Sequence, residues 1–492
     1  MEIKLLQQEY WYGGAVYEGI RQPYHGESCC EVRLRENETP NQCMPLLLSS
    51  KGRWLWCAQG FTASFRAGTI TCEDEVQLGA APQPTLRGAY CDAMQRFFAP
   101  AAQDPDERLF TAPVYNTWIE HTFYQTQQAV LSYAEGVLAN GFAPGVLMID
   151  DGWSPYYGKW KFEKEKFPDA KAMLDALHQK GFCVMVWVCP FITPDTLEYR
   201  ALAQKRLLVE EKEGTPYLAR WWNGCSAVLD LTKPEASQWL RAQLEALQAI
   251  GVDGFKFDAG DSVYYPENGD VQCEAWAHFG AAYPLNEFRA AYKAGGLPLM
   301  HRLCDKHPAW GETGLAALVP DALAAGLTGQ PFVCPDMIGG GEYASFLQQS
   351  SVDEMLFVRW AQAACLMPVM QFSAAPWRVL TAKALAAVKQ AVALRTRLQD
   401  KINAAVQDCV HTGEPMLRAM TYMYPDEACE TVMDAFMLGC DILVAPLLTQ
   451  EESRSVYVPK GAWRFQESVL QSKGEWMTLC AQHGGPIVLE CA

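Results

Sequence analysis

The chain has 492 residues and a formal net charge of −17, with half of its residues apolar and a fifth charged. The excess of acidic residues disfavours nucleic acid and anionic membranes as partners, because both attract basic surfaces. A chain of this length exceeds one ordinary hydrophobic core, so two or three domains are expected. These properties are typical of a soluble enzyme that acts on an uncharged substrate.

Signals for export or membrane insertion are lacking in the sequence. The first nine residues have no apolar segment of the kind found in signal peptides, and no run of about 18 apolar residues predicts a membrane span. The 18 cysteines are irregularly spaced, without the Cys and His spacing of a zinc site. We therefore expect a cytoplasmic protein, a secreted disulfide protein being the alternative. The cysteines expected to be reduced core residues include Cys183, Cys189, Cys304, Cys334 and Cys365.

Both ends of the chain have the pattern of β domains. Residues 53–56 and 69–71 are short alternating runs in a region rich in Gly, Thr, Tyr and Trp. We expect an N-terminal β-sandwich domain over residues 1–105. Similar runs at 441–446 and 454–459 predict a small C-terminal β domain over residues 406–492.

The middle of the chain, residues 106–405, alternates short apolar runs with longer amphipathic segments. The apolar runs are 145–149, 183–188 and 254–257, and the amphipathic segments are 170–180, 235–250 and 282–294. This alternation predicts an α/β fold, a catalytic (β/α)8 TIM barrel. A doubly wound sheet is the alternative, but no glycine-rich phosphate fingerprint follows any of the runs.

Acidic residues follow several of the predicted barrel strands. The active sites of such barrels form at the carboxyl ends of the strands. A helix N-cap is the alternative for any single aspartate, but several at strand ends favour one polar pocket. The aspartates concerned are Asp150, Asp151, Asp258, Asp305 and Asp336.

A pocket with carboxylates and aromatic walls is typical of sugar binding. Carboxylates hold the hydroxyl groups, and indole rings cover the apolar face of a sugar. We expect the sugar to be bound by Asp150, Asp151, Trp153, Trp187, Lys256, Arg302 and Asp336.

Two of the aspartates suit the cleavage of a glycosidic bond with retention. Such cleavage needs two carboxyl groups about 5–5.5 Å apart, one as nucleophile and one as acid and base. Asp258 suits the nucleophile, because Lys256 nearby helps to keep it ionised. Asp305 suits the acid/base, with Arg302 orienting it or binding the substrate. A structural salt bridge is the alternative for Arg302.

Seven short motifs are spread over nearly the whole chain: 11–14 (WYGG), 149–153 (IDDGW), 166–169 (KFPD), 187–191 (WVCPF), 256–260 (KFDAG), 335–340 (PDMIGG) and 370–373 (MQFS). Together they resemble glycoside hydrolase family 31, which holds α-glucosidases, α-xylosidases and some α-galactosidases. The resemblance is closest to the branch that contains the myogenesis-regulating glycosidase and α-galactosidases.

The resemblance implies roles for particular residues. The family's nucleophile ends the lysine-containing strand, which corresponds to Asp258 here. The family's acid/base stands five residues before a tryptophan, as Asp305 does. Phe257 and Ala259 replace the Trp and Met that flank the nucleophile in α-glucosidases, and this departure favours the α-galactosidase branch.

The sequence therefore predicts a retaining, exo-acting α-glycosidase, with terminal α-galactosides as the leading substrates. No metal or organic cofactor is expected, because two carboxyl groups suffice. The expected partner is a small-molecule or oligosaccharide substrate with a terminal α-linked sugar, and a homo-oligomer is possible. Within the family, an α-glucosidase or α-xylosidase is the alternative. Outside this class, the alternative is a non-catalytic sugar-binding protein on a decayed barrel.

Overall fold

The centre of the molecule is a barrel of parallel strands. The computed structural model describes residues 1–35, 41–98, 104–348, 351–481 and 485–492. Neighbouring strands follow in the order β7-β6-β5-β4-β3-β2-β1-β8, and each of these pairs is parallel. The strands are β1 (Val114–Asn116), β2 (Val146–Ile149), β3 (Cys183–Val188), β4 (Gly254–Phe257), β5 (Asn286–Phe288), β6 (Met300–Arg302), β7 (Phe332–Cys334) and β8 (Gln371–Phe372).

The two outermost strands of this sheet, β7 and β8, are joined by main-chain hydrogen bonds next to them. Ile338 N donates to Gln371 O at 2.8 Å, and Val369 N donates to Val333 O at 3.1 Å. The sheet is thereby nearly closed on itself. The predicted fold class is confirmed, a TIM barrel with an N-terminal β-sandwich domain and a small C-terminal β domain.

Helices cover the outside of the barrel, and several begin at a capping side chain. Thr126 accepts a hydrogen bond from Ala129 N, and Asp169 accepts one from Ala172 N, which satisfies a free amide of the first turn. The longer helices of this layer are Gln127–Ala139, Ala170–Gln179, Leu197–Gln204, Pro234–Ala249, Gly269–Gly280, Leu318–Leu327, Glu354–Ala364 and Ala382–Arg397.

The predicted elements of the barrel are confirmed with one exception. The runs 183–188 and 254–257 are strands over those residues, and the segments 170–180 and 235–250 are helices to within a residue or two. The prediction of an amphipathic segment over 282–294 is wrong. It forms β5 and the short strand Ala291–Tyr292 instead, because its residues pair with β4 and with Gln42 and Cys43 of the N-terminal domain.

The N-terminal domain consists of two β-sheets. One contains Glu2–Lys4, Thr69–Cys72, Thr62–Arg66 and Cys30–Arg33, and the other contains Trp11–Ala15, Gln42–Ser49, Arg53–Trp56 and Gln77–Ala80. The helix Leu86–Phe97 then leads toward the barrel. Buried side chains of both sheets, among them Trp11, Leu47, Phe65 and Ile70, pack into one cluster.

The N-terminal domain is joined to the barrel close to the strand ends. The short strand Ala291–Tyr292, which follows β5, pairs in parallel with Gln42 and Cys43 of the second sheet. The Gln42 side chain donates to Arg302 O at 2.5 Å, and Asn41 N donates to the Asp261 carboxylate at 3.0 Å. The N-terminal domain therefore supports loops at the carboxyl end of the barrel.

The C-terminal domain is also built from antiparallel strands. Its larger sheet contains Leu417–Arg418, Phe436–Leu438, Ile442–Ala445, Ile487–Cys491, Gly461–Phe465 and Ser468–Ser472, and its smaller sheet pairs Ser453–Val458 with Glu475–Cys480. The helix Gln399–Thr412 crosses the predicted limit at 405. The domain limits at 105 and 405 stay predictions.

Cysteine burial varies among the positions that we expected in the core. Cys189, Cys334 and Cys365 are buried, whereas Cys183 and Cys304 are half-buried. Among the described residues, no helix combines the length and the apolar character needed to cross a bilayer.

His301 in β6 is buried without a hydrogen-bond partner for either ring nitrogen among the described residues. Burial lowers the pKa of His301 to about 3, whereas an unfolded histidine titrates near 6.5. Below about pH 6.5 the unfolded chain binds a proton at this residue that the folded chain does not bind. His301 therefore reduces stability as the pH falls from about 6.5 toward 3.

We predict that His301→Leu loses less unfolding free energy than the wild type when the pH falls from 7 to 5. The difference should be about 2 kcal/mol, from 1.36 kcal/mol for each pKa unit, and urea unfolding at both pH values measures it. His278→Leu is the control, because the His278 side chain is largely exposed. Equal losses in the wild type and His301→Leu would show that His301 takes up its proton in the folded chain.

Candidate active site

A continuous chain of buried ion pairs crosses the carboxyl end of the barrel. Lys256 Nζ lies 2.7 Å from Asp150 Oδ2 and 3.7 Å from Glu287 Oε1. Arg302 Nε lies 3.5 Å from the same Glu287 oxygen, and Arg302 Nη1 lies 2.7 Å from Asp336 Oδ1. We call these five residues the buried charge chain. All five are nearly inaccessible to solvent, so each charge depends on its neighbours.

The alternation of side chains along β4 and β5 explains why charged and aromatic residues are adjacent in sequence. Lys256 is paired in register with Glu287, and Phe257 with Phe288. The rings of Phe257 and Phe288 stack at 4.9 Å, and Phe257 also meets Trp276 of a surrounding helix at 5.2 Å. Successive residues of a strand face opposite sides. The aromatic residues therefore pack toward the helices while the charged residues face the barrel interior.

Asp258 directly follows β4 and accepts three hydrogen bonds. Trp187 Nε1 donates to Oδ2 at 2.8 Å, while Arg289 Nε and Ala259 N donate to Oδ1 at 2.6 and 2.7 Å. Burial alone would raise the pKa of Asp258. The positive charges of Arg289 and Lys256 outweigh burial and hold the pKa well below its usual range, so Asp258 is an anion at neutral pH.

Arg289 holds Asp258 more directly than the predicted Lys256 does. The Lys256 ammonium hydrogen-bonds to Asp150 and acts on Asp258 only through its charge. Arg289 is further fixed by Asp261, at 3.6 Å, and by the ring of Trp222, whose centroid lies 4.8 Å from its guanidinium carbon. The charge of Lys256 lowers the pKa of Asp258, in the direction that the sequence led us to expect, and Arg289 adds a direct hydrogen bond.

Asp305 and Asp336 share one guanidinium nitrogen. Arg302 Nη1 donates to an oxygen of each carboxyl group at 2.7 Å. Burial raises the pKa of Asp336 to about 6. Partial burial also raises the pKa of Asp305, but Arg302 and Arg289 outweigh it and lower the pKa. Two carboxyl groups this tightly linked bind their protons as a pair. The Asp305 side chain is 41% exposed, so it is the member that a ligand reaches.

Asp336 is fixed by the loops that follow β6 and β7. Lys306 N and Gly341 N donate to its Oδ2 at 2.7 and 2.8 Å. A Cβ at Gly341 would stand 2.5 Å from the Asp336 carboxylate, so only glycine fits there. Asp336 and Ala259 both have positive φ, at 80° and 55°. Backbone strain of this kind clusters at functional sites.

Asp151 forms a second, less ionised acidic position. Tyr157 Oη and Asn223 Nδ2 each donate to its Oδ2 at 2.9 Å, and Gly152 N donates to Oδ1 at 2.7 Å. Burial, together with the nearby charge of Asp150, raises the pKa of Asp151 to about 7. Near neutral pH this carboxyl group is therefore partly protonated.

These side chains surround one cavity of about 180 Å³. Such a volume is small for a ligand site and suits a single sugar ring. The cavity is lined by Trp118, Asp150, Asp151, Trp187, Trp222, Lys256, Asp258, Arg289, Arg302, Asp305, Met337, Glu342 and Tyr343.

Seven of the nine predicted site residues line this cavity, and two do not. Asp336 is fully buried behind Arg302. Trp153 is also fully buried, and its Nε1 donates to Trp187 O at 2.8 Å. The structure therefore places Asp336 as a support for Arg302 and Trp153 as a support for Trp187. Neither lies where it would contact a sugar directly.

Several residues of the cavity were not predicted from the sequence. Arg289 lies in the segment 282–294, which we expected to be one amphipathic element, and it follows the three-residue strand β5. Trp222 lies at the tip of a hairpin formed by Leu218–Trp221 and Gly224–Val228. The dipeptide Asn223-Gly224 is a known hairpin signal. Tyr343 carries no sequence signal that we recognise.

Comparison with known proteins agrees with the fold. The family model "Glycosyl hydrolases family 31 TIM-barrel domain" matches residues 110–297 and 303–405, and "Glycosyl hydrolase family 31 C-terminal domain" matches residues 413–487. The fold and the acidic cavity at the strand ends are those of a glycoside hydrolase barrel. The chain belongs to glycoside hydrolase family 31.

Individual relatives differ in their named activities. The chain is 34% identical over 400 residues to "Myogenesis-regulating glycosidase" of Mus musculus, a match that covers 77% of this chain and 56% of the relative. It is 26% identical over 361 residues to "Sulfoquinovosidase" of Escherichia coli K12, covering 67% and 52%. The chain thus spans about half the length of these curated relatives.

A solved structure shows the same fold over the whole chain. A family 31 sulfoquinovosidase from E. rectale, in complex with an aza-sugar inhibitor, has a TM-score of 0.84 at 18% identity. The match covers 100% of this chain and 82% of that one.

We predict that the Arg289 and Asp258 pair is strongly coupled. Arg289→Gln should destabilise the protein by about 3 kcal/mol at pH 7, because it leaves a buried carboxylate without its nearest cation. Adding Asp258→Asn should recover much of that loss, and urea unfolding of both single variants and the double variant measures the coupling. Arg289→Lys, which keeps the charge, is the control and should lose less. Additive losses in the double variant would contradict the coupling.

Proposed function

We propose that this protein is a retaining, exo-acting α-glycosidase whose main substrates are terminal α-galactosides. One observation carries the proposal. Asp258 is held as an anion by Arg289 and Trp187, and it lines the same small cavity as the more exposed Asp305. A carboxylate kept ionised and a second carboxyl group at the cavity mouth are the two groups that retaining hydrolysis needs.

In the first step, a carboxylate oxygen of Asp258 attacks the anomeric carbon of the bound sugar. The bond between that carbon and the glycosidic oxygen breaks, and a proton passes from Asp305 to the departing oxygen. Asp305 has to take up this proton before the step, because Arg302 and Arg289 lower its pKa in the free protein. The product is a glycosyl ester on Asp258 with inverted configuration. Because Asp258 is already ionised in the free protein, no proton has to be removed before the attack.

In the second step, a water molecule attacks the anomeric carbon of the ester. Asp305, now a carboxylate, takes a proton from the water, and the bond to Asp258 breaks. The second inversion restores the original configuration, so the sugar leaves with the same anomeric form. Arg302 serves both steps, because its contacts with Asp305 and Asp336 fix the acid/base in one position.

The small cavity supports cleavage of terminal sugars. Its volume of about 180 Å³ accommodates one ring. Asp150 and Asp151 present acceptors to the sugar's hydroxyl groups, and Trp187 and Trp222 offer ring faces. A longer glycan would enter only by its end.

The preference for galactosides rests on residues next to Asp258. Phe257 and Ala259 stand where the α-glucosidase pattern has Trp and Met. Relatives named as α-glucosidases and α-xylosidases match this chain at 22–24% identity, below the 34% of the myogenesis-regulating glycosidase. An α-glucosidase or α-xylosidase therefore stays the alternative within the family. A decayed sugar-binding protein is disfavoured, because binding alone does not require the costly burial of an ionised Asp258.

We also place the protein in the cytoplasm, with an oligosaccharide or small glycoside as its partner. The cytoplasmic assignment is supported by the unpaired buried thiols of Cys189, Cys334 and Cys365. Reduced cysteines are usual in that compartment.

We predict that p-nitrophenyl α-galactoside is hydrolysed with kcat/KM at least about 10²-fold above that of the α-glucoside. We expect polar groups of the cavity to hydrogen-bond to the axial C4 hydroxyl of galactose. When glucose binds, its C4 hydroxyl is equatorial, and those buried polar groups are left without a partner. The factor corresponds to roughly 2.7 kcal/mol of transition-state binding. A panel that also includes the α-xyloside and the N-acetylgalactosaminide measures it, and NMR of the first product formed should show the α-anomer.

The outcomes of this panel separate the parts of the proposal. Equal or faster cleavage of the α-glucoside would refute the galactoside preference and leave the mechanism intact. A β-anomer as the first product would refute retention. Release of internal fragments from a long α-glycan would refute exo action.

A further inference from the structure

A second groove of about 570 Å³ lies beside the candidate active-site cavity. We call it the side groove. Much of its described surface is apolar and comes from separate parts of the chain. The apolar side chains are Ile119, Phe346, Val352, Ala374 and Val379.

A pair of aromatic rings separates the side groove from the cavity. Trp118 and Tyr343 meet edge to face with their centroids 5.2 Å apart, and both line the cavity. Tyr343 also lines the side groove, and Ile119, which follows Trp118, does the same. A ligand that leaves the cavity past these rings therefore enters the side groove.

The side groove lies on the Asp305 side of the cavity. Gly341 N and Glu342 N, which precede Tyr343, donate to Lys306 O at 3.1 and 3.2 Å. Trp310 Nε1, five residues after Asp305, donates to the Asp353 carboxylate at 3.0 Å, next to Val352. Two walls of the groove are thus tied to the segment that carries the acid/base. A general acid stands beside the oxygen of the leaving group, so this is the side on which the leaving group departs.

The charged residues around the side groove already have protein partners. Arg378 donates to both Glu120 carboxylate oxygens at 2.7 and 2.8 Å. Glu354 accepts from Thr381 N and Thr381 Oγ1 at 2.5 and 2.9 Å. Among the described lining side chains, Thr122 and Ser351 add hydroxyl groups. A second sugar would bury several hydroxyl groups against the apolar side chains of Ile119, Phe346 and Val352, and each hydroxyl left unpaired costs free energy.

We propose that the side groove binds the leaving group of the substrate and that this leaving group is an apolar alcohol or phenol rather than a second sugar. The inference rests on the proposed glycosidase function and deepens it. The preferred substrates are alkyl or aryl α-glycosides. The sugar ring occupies the cavity, and the apolar group passes Trp118 and Tyr343 into the side groove.

The test compares methyl and hexyl α-galactoside, whose leaving alcohols have similar acidity. Affinity is measured by calorimetric titration, and kcat/KM is measured by galactose release. Burial of most of the added methylene groups should make hexyl α-galactoside bind at least about tenfold more tightly. The double variant Ile119→Thr/Val352→Thr should reduce that advantage about threefold or more and leave methyl α-galactoside unchanged. Val469→Thr, on an exposed strand of the C-terminal domain, is the matched control.

The affinity measurement keeps this test independent of turnover. If the hexyl compound binds more tightly and the double variant weakens that binding, the result supports a leaving-group site in the side groove. This holds even if neither compound is hydrolysed. In that case only the proposed glycosidase function fails. Equal affinity for both compounds overturns the inference. The inference is also overturned if a disaccharide with terminal α-galactose binds more tightly than hexyl α-galactoside and its affinity is unchanged in the double variant.

Discussion

The site depends on three cations, the buried Lys256 and Arg302 and the partly exposed Arg289, which must balance a larger number of carboxyl groups inside one barrel. An ionised side chain in a protein interior is stable only with a close partner of opposite charge. Each cation contacts at least two acidic residues. The charges of neighbouring carboxyl groups are therefore set jointly: Asp258 stays an anion beside Arg289, whereas Asp305 and Asp336 divide the charge of Arg302.

This constraint explains why parts of the molecule outside the barrel strands matter to the cavity. Trp222 at a hairpin tip covers Arg289, and Asn223 beside it holds Asp151. Gln42 of the N-terminal domain holds the main chain of Arg302. Each contact limits the movement of a charged group in a small space, which preorganises the site before a ligand enters.

The fold and about half of the site were predictable because they depend on local patterns. The strands β3 and β4 are apolar runs with clear ends, and Asp258 directly follows one of them. Arg289 was missed because the strand before it, β5, has three residues and no apolar run. That strand forms through its pairing with β4, which the local sequence does not show. We predicted that Trp153 and Asp336 bind the sugar because each lies near the end of a strand. The sequence does not show that other side chains bury both residues away from the cavity.

The most direct measurement of the central claim is to trap the covalent intermediate. A 5-fluoro-α-galactosyl fluoride forms the glycosyl ester quickly and releases it slowly, and peptide mass spectrometry then locates the sugar. We expect one sugar per protein on the peptide containing residues 254–261, attached to Asp258. Attachment to Asp305 or Asp150, or time-dependent turnover of the reagent with no labelled peptide, would contradict a nucleophile held ionised by Arg289.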